Sequence, residues 1–143
     1  MSSGIPNSPA WFPVAVQALV VIAGTEGMCS SSAMAQDLKA HAVFVRRVLA
    51  QLVRAEIVQV REGRDGGYRL ARSADDITLA EVYQAVKIPD TSEGTVCSET
   101  VNARVQNVLD EIGVEAELRL LEVLGHHTLA SVLERVDRSN HPA

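Results

Sequence analysis

One short turn signal constrains the fold of this chain more than any other feature. Asp65, Gly66 and Gly67 lie between residues 57–61 and 68–72, two runs that are typical of short strands. Because aspartate and glycine tolerate the positive φ angles of a tight turn, this pattern predicts a β-hairpin. The other periodic segments have the spacing of helices, so we expect a mainly α-helical fold with one small hairpin.

Three helical segments precede the hairpin. The first covers residues 11–26, with Pro13 in its first turn, and its apolar residues surround nearly the whole helix, which predicts burial on several sides. The second covers residues 33–38, with Ser30–Ser32 available as N-caps, and the third covers residues 43–55. Two short helices joined by a tight link predict a helix-turn-helix, and a hairpin directly after them predicts a wing.

The segment after the hairpin divides the chain into two predicted units. Thr78 and Glu81 have the spacing of a capping box, which starts a helix ending near residue 86. Residues 89–98 contain proline, serine and glycine and predict a linker. The predicted organisation is therefore a winged helix-turn-helix domain over residues 11–88, the linker, and a helical unit over residues 99–136.

The second unit is dominated by one long helix. It is predicted over residues 99–124, a length of roughly 39 Å, with Gly113 as a candidate kink; a short helix over 129–136 follows a cap at Thr128. Apolar residues recur along the long helix at steps of three or four: Val101, Val105, Val108, Ile112, Ala116, Leu120 and Leu124. This seam favours packing against a partner chain, as in a homodimer; the alternative is that the helix folds back on its own domain.

Charge is distributed unevenly along the chain. The 143 residues have a formal net charge of −5, which by itself disfavours a nucleic-acid partner. Residues 36–72, however, contain eight basic and four acidic side chains and so have a charge of +4, which leaves −9 for the remainder. The positive potential of this basic segment still attracts DNA, although the rest of the chain is acidic. The acidic remainder limits non-specific binding to nucleic acid.

Composition excludes several other classes of protein. Apolar residues make up 47% of the chain, which excludes intrinsic disorder, and aromatic residues make up only 3%, too few for platforms that stack single-stranded bases. Two cysteines, Cys29 and Cys97, exclude a disulfide framework and a four-cysteine zinc site. The apolar run 11–23 is too short to cross a bilayer and follows no basic leader, so we expect a cytoplasmic protein without a membrane partner.

The sequence also lacks the patterns of catalytic sites. It contains no HExxH, no phosphate-binding glycine loop and no GxSxG. A nucleophile pair of Cys97 and His126 would lack an orienting acid and an oxyanion loop. The adjacent His126 and His127 have no further ligand at metal-binding spacing. We therefore expect neither an enzyme nor a metal site.

The segment from Glu62 to Ala71, EGRDGGYRLA, resembles the wing motif R-G-x-x-G-G-Y-x-L-A of the Rrf2 (Rrf-two) family of bacterial transcription regulators. That family includes the iron–sulfur cluster regulator, the nitric-oxide-sensing repressor and the cysteine-metabolism repressor. The SAMAQDL run ending at Leu38, the VRRVL run ending at Leu49 and the order of elements over residues 11–136 are similar as well. The resemblance implies a homodimer that binds an operator and usually represses, with a recognition helix in the major groove and a wing near the minor groove.

Two departures from the family pattern matter. Glu62 stands where the pattern has an arginine, and since a carboxylate is repelled by phosphates, the wing contact would pass to Arg61 or Arg64. Members that bind a cluster have three cysteines between the two units, whereas residues 88–99 contain only Cys97. A single thiolate cannot hold an iron–sulfur cluster in the all-cysteine manner, so we expect no cofactor.

The candidate DNA contacts lie on the third helix, on the link before it and on the hairpin: Lys39, His41, Ala42, Val43, Arg46, Arg47, Arg61, Arg64 and Arg69. Arg46 and Arg47 contact DNA or lie on a solvated helix face, and arginine is suited to both guanine and phosphate. His41 receives a phosphate at the helix start or is an imperfect cap. Val43 meets a thymine methyl or belongs to the core, and the sequence slightly favours the core.

The strand alternation makes a prediction about the hairpin. Arg61 and Arg69 face outwards if Val60 and Leu70 face inwards, as their apolar side chains suggest. Gly66 and Gly67 are better explained by the backbone geometry of the turn than by the approach of a ligand.

The sequence thus favours a homodimeric, sequence-specific DNA-binding repressor that recognises a near-palindromic operator. The alternatives are a winged-helix protein-interaction module without DNA binding, favoured by Glu62, and a thiol enzyme. Cys97 is either a redox-sensing thiol, lowered in pKa by the following helix, or an incidental one. No residue pattern identifies the effector, the operator sequence or the regulated genes.

Overall fold

Six α-helices and one antiparallel hairpin make up the part of the chain that the computed structural model describes, residues 11–38, 42–64, 66–87 and 102–140. The elements in chain order are α1 (Trp11–Ala23), α2 (Ser31–Leu38), α3 (Ala42–Arg54), β1 (Val58–Arg61), β2 (Gly67–Leu70), a 3-10 turn (Ala74–Asp76), α4 (Leu79–Val86), α5 (Ala103–Gly125) and α6 (Leu129–Asn140). The predicted class, mainly helical with one small hairpin, is confirmed, while the predicted linker lies outside the described residues.

The helices begin and end close to the predicted positions, except that α6 continues to Asn140 and not 136. Local hydrogen bonds explain the differences at α1 and α2. α1 ends at Ala23, three residues before the predicted end, because the Thr25 hydroxyl donates to the Val21 carbonyl at 2.7 Å and Gly27 adopts a φ of 80°. α2 begins two residues early, with the Ser30 Oγ accepting from the Ala33 N–H at 3.1 Å. Such side-chain acceptors satisfy the amides that a helix leaves unpaired at its start.

α1 lies at the centre of the core. Ala15, Ala18 and Leu19 have no exposed surface, and α1 contacts α2, α3, α4, α6 and β2. Its small alanines let the neighbouring helices approach closely. The remaining large side chains that are fully buried come from α2, α3, α4, α6, β1 and the segments beside them: Met34, Val45, Val48, Leu49, Leu52, Ile57, Val58, Ile77, Val82, Val86 and Leu129. Each large one stabilises the fold by roughly 1.5–3 kcal/mol.

The hairpin is joined to the core by a third strand-like segment. β1 and β2 are antiparallel, with Gln59 opposite Arg69 and Val60 opposite Tyr68. Cys29 pairs with the other edge of β2: its N–H donates to the Tyr68 carbonyl at 2.9 Å, and its carbonyl accepts from the Tyr68 N–H at 2.8 Å. The loop after α1 therefore fixes the base of the hairpin.

The exposure of Val60 shows that one prediction was wrong. It was expected to face the core, but it is 47% exposed, whereas Val58 on the same face of the strand is buried. The alternation of the strand is as predicted, but Val60 lies one pair farther along the hairpin than Val58, opposite the half-buried Tyr68, and is covered less completely. Leu70, opposite Val58, is half-buried.

The two C-terminal helices are tied to the winged-helix unit by a short bridge. The Leu79 N–H donates to the His127 carbonyl at 2.9 Å, and the Leu129 N–H donates to the Ile77 carbonyl at 2.8 Å. The predicted cap at Thr128 is confirmed, since its Oγ1 accepts from the Ser131 N–H at 3.2 Å. α6 thereby packs against the 3-10 turn and α1.

Among the described residues, the part of α5 that packs against its own chain is the C-terminal part, from Glu117 onwards. It is continuous through Gly113, it contacts α4, and Lys87 at the end of α4 forms an ion pair with Glu117. Residues 103–116, in contrast, are all exposed, including most of the predicted apolar seam. Within the described residues, that part of the seam therefore has no partner in its own chain.

Arg72 connects the end of the hairpin to its neighbours. Its guanidinium donates to the Glu81 carboxylate at 3.0 Å, to the Asp76 carbonyl at 3.1 Å and to the Glu56 carbonyl at 3.4 Å. The predicted capping box is confirmed: Glu81 accepts from the Thr78 N–H at 3.0 Å, and Thr78 Oγ1 accepts from the Glu81 N–H at 3.2 Å. The Thr78 N–H is the largest cause of a lowered pKa at Glu81; Arg72 adds to it and partial burial opposes it.

This lowered pKa predicts a pH dependence of stability. Because the Glu81 pKa in the folded state lies below its ordinary value of 4.5, its contribution is fully present above pH 4.5 and is lost as the pH falls through the folded-state pKa. Glu81→Gln keeps an acceptor for the cap but loses the charge. We expect its free energy of unfolding at neutral pH to fall by up to about 1 kcal/mol, the range of an exposed ion pair.

Urea unfolding as a function of pH measures the effect. The loss of stability between neutral pH and pH values below 4.5 should be smaller in Glu81→Gln than in the wild type. Glu134→Gln, on the exposed surface of α6, serves as the matched control and should keep the wild-type dependence. Equal pH profiles for wild type and Glu81→Gln would contradict the assignment.

Candidate nucleic-acid interface

One exposed stripe runs the length of α3. It consists of Val43, Arg46, Arg47, Ala50 and Arg54, which we call the α3 stripe; all five are exposed. The spacing places them on one side of the helix over roughly 17 Å. The opposite side carries Val45, Val48, Leu49 and Leu52, which are completely buried. Burial of the inner face thus determines which side chains α3 presents outwards.

The stripe is strongly basic. α3 contains three arginines and no acidic residue. Across the described ranges, Arg46, Arg47 and Arg54 form no ion pair and donate no side-chain hydrogen bond. Their guanidinium groups therefore remain available for an external acceptor, and arginine offers a planar fork that fits phosphate oxygens or a guanine edge.

The exposure of Val43 shows that a second prediction was wrong. The sequence slightly favoured the core for this residue, but its exposure is 63%. The reason is the position of the helix: α3 begins at Ala42, and Val43 falls on the side opposite Val45 and Val48. The next residue, Phe44, contacts Trp11 of α1 with the two ring centroids 5.2 Å apart and the planes at 88°.

The structure gives less information on the other candidate DNA contacts near the start of α3. Lys39 and His41 lie outside the described residues, so their roles stay predictions. Ala42 is the first residue of the helix.

The hairpin carries a second exposed basic group. Arg61 and Arg69 lie on the outward face of the strands, as predicted, together with Gln59. The Arg69 Nε donates to the Gln59 Oε1 at 2.9 Å across the two strands, which orients that guanidinium. Arg64 and Glu62 are exposed between the strands. The carboxylate of Glu62 therefore belongs to the same exposed end of the hairpin as Arg64.

Two glycines make this hairpin possible. A Cβ atom on Gly66 would lie 2.0 Å from the Arg61 carbonyl oxygen. Gly67 has a φ of 151°, and a Cβ atom there would lie 2.7 Å from the Cys29 carbonyl oxygen. Neither contact is tolerable for a side chain. The geometric interpretation of these glycines is confirmed: they let the turn close and let Cys29 pair with β2.

Arg54 extends the stripe beyond the candidate contacts that the sequence predicted. It was not included among them, although it lies on the same exposed face. Its signal was available in the spacing, because 43, 47, 50 and 54 follow the steps of four, three and four that keep residues on one helical face. The stripe therefore extends one turn farther than predicted.

Among the described residues, the potentially reactive side chains do not assemble into a site. Cys29 is buried in the core, and Cys97 lies outside the described residues, so its role as a sensor stays a hypothesis. No group of three potential metal ligands occurs among the described side chains, and none of the described helices is long and apolar enough to span a membrane. The candidate functional groups on the described surface are therefore the exposed arginines and not cysteines or metal ligands.

Comparison with known proteins decides the family. The family model "Rrf2: Iron-dependent Transcriptional regulator" matches residues 10–135. The chain belongs to the Rrf2 family. The resemblance seen in the wing motif is therefore confirmed over nearly the whole chain.

Individual relatives agree with this assignment. YwgB of Bacillus subtilis (strain 168), provisionally designated an HTH-type transcriptional regulator, is 26% identical over 138 residues, which cover 95% of this chain and 85% of YwgB. YwnA of the same organism, with the same provisional designation, is 29% identical over 127 residues, covering 86% and 94%. The solved structure of T. potens IscR has a TM-score of 0.70 at 21% identity, covering 94% of this chain and 91% of that one, and shows the winged-helix fold.

The Rrf2 family and these relatives are transcriptional regulators and not enzymes, so this chain is a DNA-binding transcriptional regulator. The α3 stripe and the exposed hairpin arginines are the basic surfaces of this regulator.

The hairpin glycines give a prediction about stability. Gly67→Ala should lower the free energy of unfolding by about 2 kcal/mol or more, because it combines a disfavoured φ with a backbone collision. Gly113→Ala is the matched control: it lies in the exposed part of α5, where an added Cβ would have no atom within 4 Å, so it should gain up to about 1 kcal/mol of helix stability. Urea unfolding of both variants measures the difference. A neutral Gly67→Ala would contradict the described pairing of Cys29 with β2.

Proposed function

We propose that this regulator is a homodimeric repressor that binds a near-palindromic operator with the α3 stripe of each protomer in the major groove. The observation that carries the proposal is the α3 stripe itself, a helix face with three arginines, no acidic side chain and a buried opposite side. In a helix-turn-helix, this second helix is the one that enters the groove. α2 and α3 have that order and contact each other.

Affinity and specificity would come from different parts of this surface. Arginines that neutralise phosphates supply a strong, salt-dependent attraction that does not depend on sequence. Side chains that reach base edges supply the discrimination. We assign phosphate or guanine contacts to Arg46, Arg47 and Arg54, and backbone contacts near the wing to Arg61, Arg64 and Arg69. Lys39 and His41 are proposed as phosphate contacts at the start of α3.

The dimer is proposed to form through α5. Its exposed large apolar residues fall mainly on one side of the helix, and we call this set the α5 seam: Val105, Val108, Leu109, Ile112 and Val123. Each is more than half exposed, an arrangement that a soluble monomer rarely maintains over several turns. A two-fold dimer places the same seam on both sides of the interface. It also presents two equivalent α3 stripes, which is why we expect a near-palindromic operator.

Repression requires only these two surfaces. A dimer that occupies DNA needed by RNA polymerase excludes the polymerase sterically, without any further contact. The relatives are bacterial, and a regulator of a bacterial chromosome works in the cytoplasm, which is where we place this one.

We further propose that this member works without an iron–sulfur cluster, although the description of its family mentions iron. The whole chain contains two cysteines, and Cys29 is buried beneath the hairpin with its backbone paired to Tyr68. A thiol held there is not available to a cluster shared with Cys97. The donor set of one chain therefore does not fit a cluster held by cysteines.

The arginines of the stripe provide the first test. Arg46→Ala together with Arg47→Ala should weaken binding to duplex DNA from the protein's own locus by at least tenfold. The slope of log affinity against log salt should become less negative by about 0.9 for every phosphate that the variant no longer neutralises. Fluorescence anisotropy at several salt concentrations measures both quantities.

A control variant with the same change in net charge distinguishes the loss of a local DNA contact from a general electrostatic effect. Arg135→Ala together with Arg138→Ala removes two exposed arginines from α6 and should leave affinity and slope nearly unchanged. Wild-type binding by the Arg46/Arg47 variant would contradict the proposal. Absence of DNA binding in the wild type would favour a protein-interaction module, the alternative that exposed Glu62 supports.

The α5 seam provides the second test. Ile112→Asp should give a folded monomer, because an aspartate in the middle of a buried two-fold seam meets its own symmetry mate nearby. Val114→Asp is the matched control: Val114 is 59% exposed, compared with 56% for Ile112, but lies on the opposite side of α5. Light scattering coupled to size exclusion should report a monomer for Ile112→Asp and a dimer for Val114→Asp. The reverse result would assign the interface to the other side of the helix.

A further inference from the structure

We propose that Val43 recognises the C5-methyl group of a thymine in each half-site of the operator. The proposal rests on the proposed function, since it names the chemical group that one residue of the α3 stripe contacts. It starts from the 63% exposure of Val43, the one large apolar side chain in an otherwise basic stripe.

Neither the core nor the helix accounts for a valine at this position. The core-facing side of α3 is filled by Val45, Val48, Leu49 and Leu52, none of which has exposed surface. Within a helix, a β-branched valine is slightly less favourable than alanine. Helix propensity therefore favours alanine over valine in the first turn of α3, and Val43 fills no position in the fully buried face.

The charges around Val43 indicate what covers it. Arg46 and Arg47 follow it by three and four residues on the same face, and α3 has no acidic side chain. A second copy of this basic stripe would repel it, and an apolar protein surface would leave the arginines without acceptors. A DNA duplex supplies phosphates for the arginines and, in its major groove, one apolar group, the thymine methyl.

The position of Val43 along α3 is consistent with a contact to a thymine in the major groove. In helix-turn-helix proteins the N-terminal residues of the recognition helix contact base edges, and Val43 is the second residue of α3. Arg47 lies one turn farther along, at a rise of about 6 Å, which corresponds to roughly two base-pair steps. We therefore expect the thymine about two base pairs from the position that Arg47 contacts.

A double-substitution experiment tests the proposal. Operators are first selected from a pool of random duplexes with the wild-type dimer. Each thymine in the enriched half-site is then replaced by deoxyuridine, which removes only the C5-methyl group. Affinity is measured for wild type and for Val43→Ala on every duplex, with Val136→Ala on α6 as a control for loss of an exposed valine.

One thymine in each half-site should behave differently from the others. Its replacement should weaken wild-type and Val136→Ala binding by roughly fourfold per half-site, the equivalent of one buried methyl group. Val43→Ala, which lacks the two methyl groups at the end of the valine side chain, should discriminate between the thymine and deoxyuridine operators less than twofold per half-site, with the wild-type salt slope. Alanine favours helices more than valine does, so this variant is expected to fold.

The proposal and the function it rests on fail in different ways. If the wild type is indifferent to every deoxyuridine replacement, or if Val43→Ala retains the wild-type sensitivity, Val43 does not recognise the methyl group. If selection enriches no sequence at all, the proposed function itself is wrong.

Discussion

The surface of this protein depends on the packing of α3 against α1. Val45, Val48, Leu49 and Leu52 are completely buried, as are Ala15, Ala18 and Leu19 of α1, and the two helices contact each other. Because α3 has a period of 3.6 residues, burial of one side leaves only one other side to face solvent. The basic residues can therefore occupy a single stripe, and rotating the helix to hide them would expose four large apolar side chains.

The hairpin extends this surface by a different physical means. Besides the burial of Val58 and the packing of Tyr68 and Leu70 against the core, its position is fixed by backbone hydrogen bonds to Cys29 and by the contacts of Arg72 with Glu81, Asp76 and Glu56. Gly67 is required because β2 approaches the Cys29 segment too closely for a Cβ atom, and Gly66 is required because a Cβ atom there would collide with the Arg61 carbonyl across the turn. Glu81 takes part in both the cap of α4 and the pair with Arg72, so the end of the hairpin and the start of α4 are held by the same carboxylate.

Local rules predicted the elements of this fold, and the failures occurred where the extent of the core mattered. The capping box at Thr78, the hairpin at Gly66 and the helix-turn-helix order depend on residues close together in sequence, so they could be recognised there. Val60 and Val43 are apolar residues with the right alternation or spacing, yet both are exposed. Nothing local reveals that the core ends before Val60, or that α3 begins at Ala42 and turns Val43 outwards. Arg54 differs from these two residues, because its spacing from Val43, Arg47 and Ala50 already placed it on the same helical face in the sequence.

The distribution of charge connects the two units. α5 contains five acidic residues and two arginines, whereas α3 contains three arginines and no acidic residue. The bridge between Thr78 and Thr128 and the ion pair between Lys87 and Glu117 attach α5 and α6 to the winged helix, so the acidic and basic parts keep a defined relation. A duplex that attracts α3 repels α5, and the two forces act together to turn the molecule with its stripe towards DNA. The net charge of −5 is thus compatible with DNA binding, because its sign arises mainly from residues outside the basic segment 36–72.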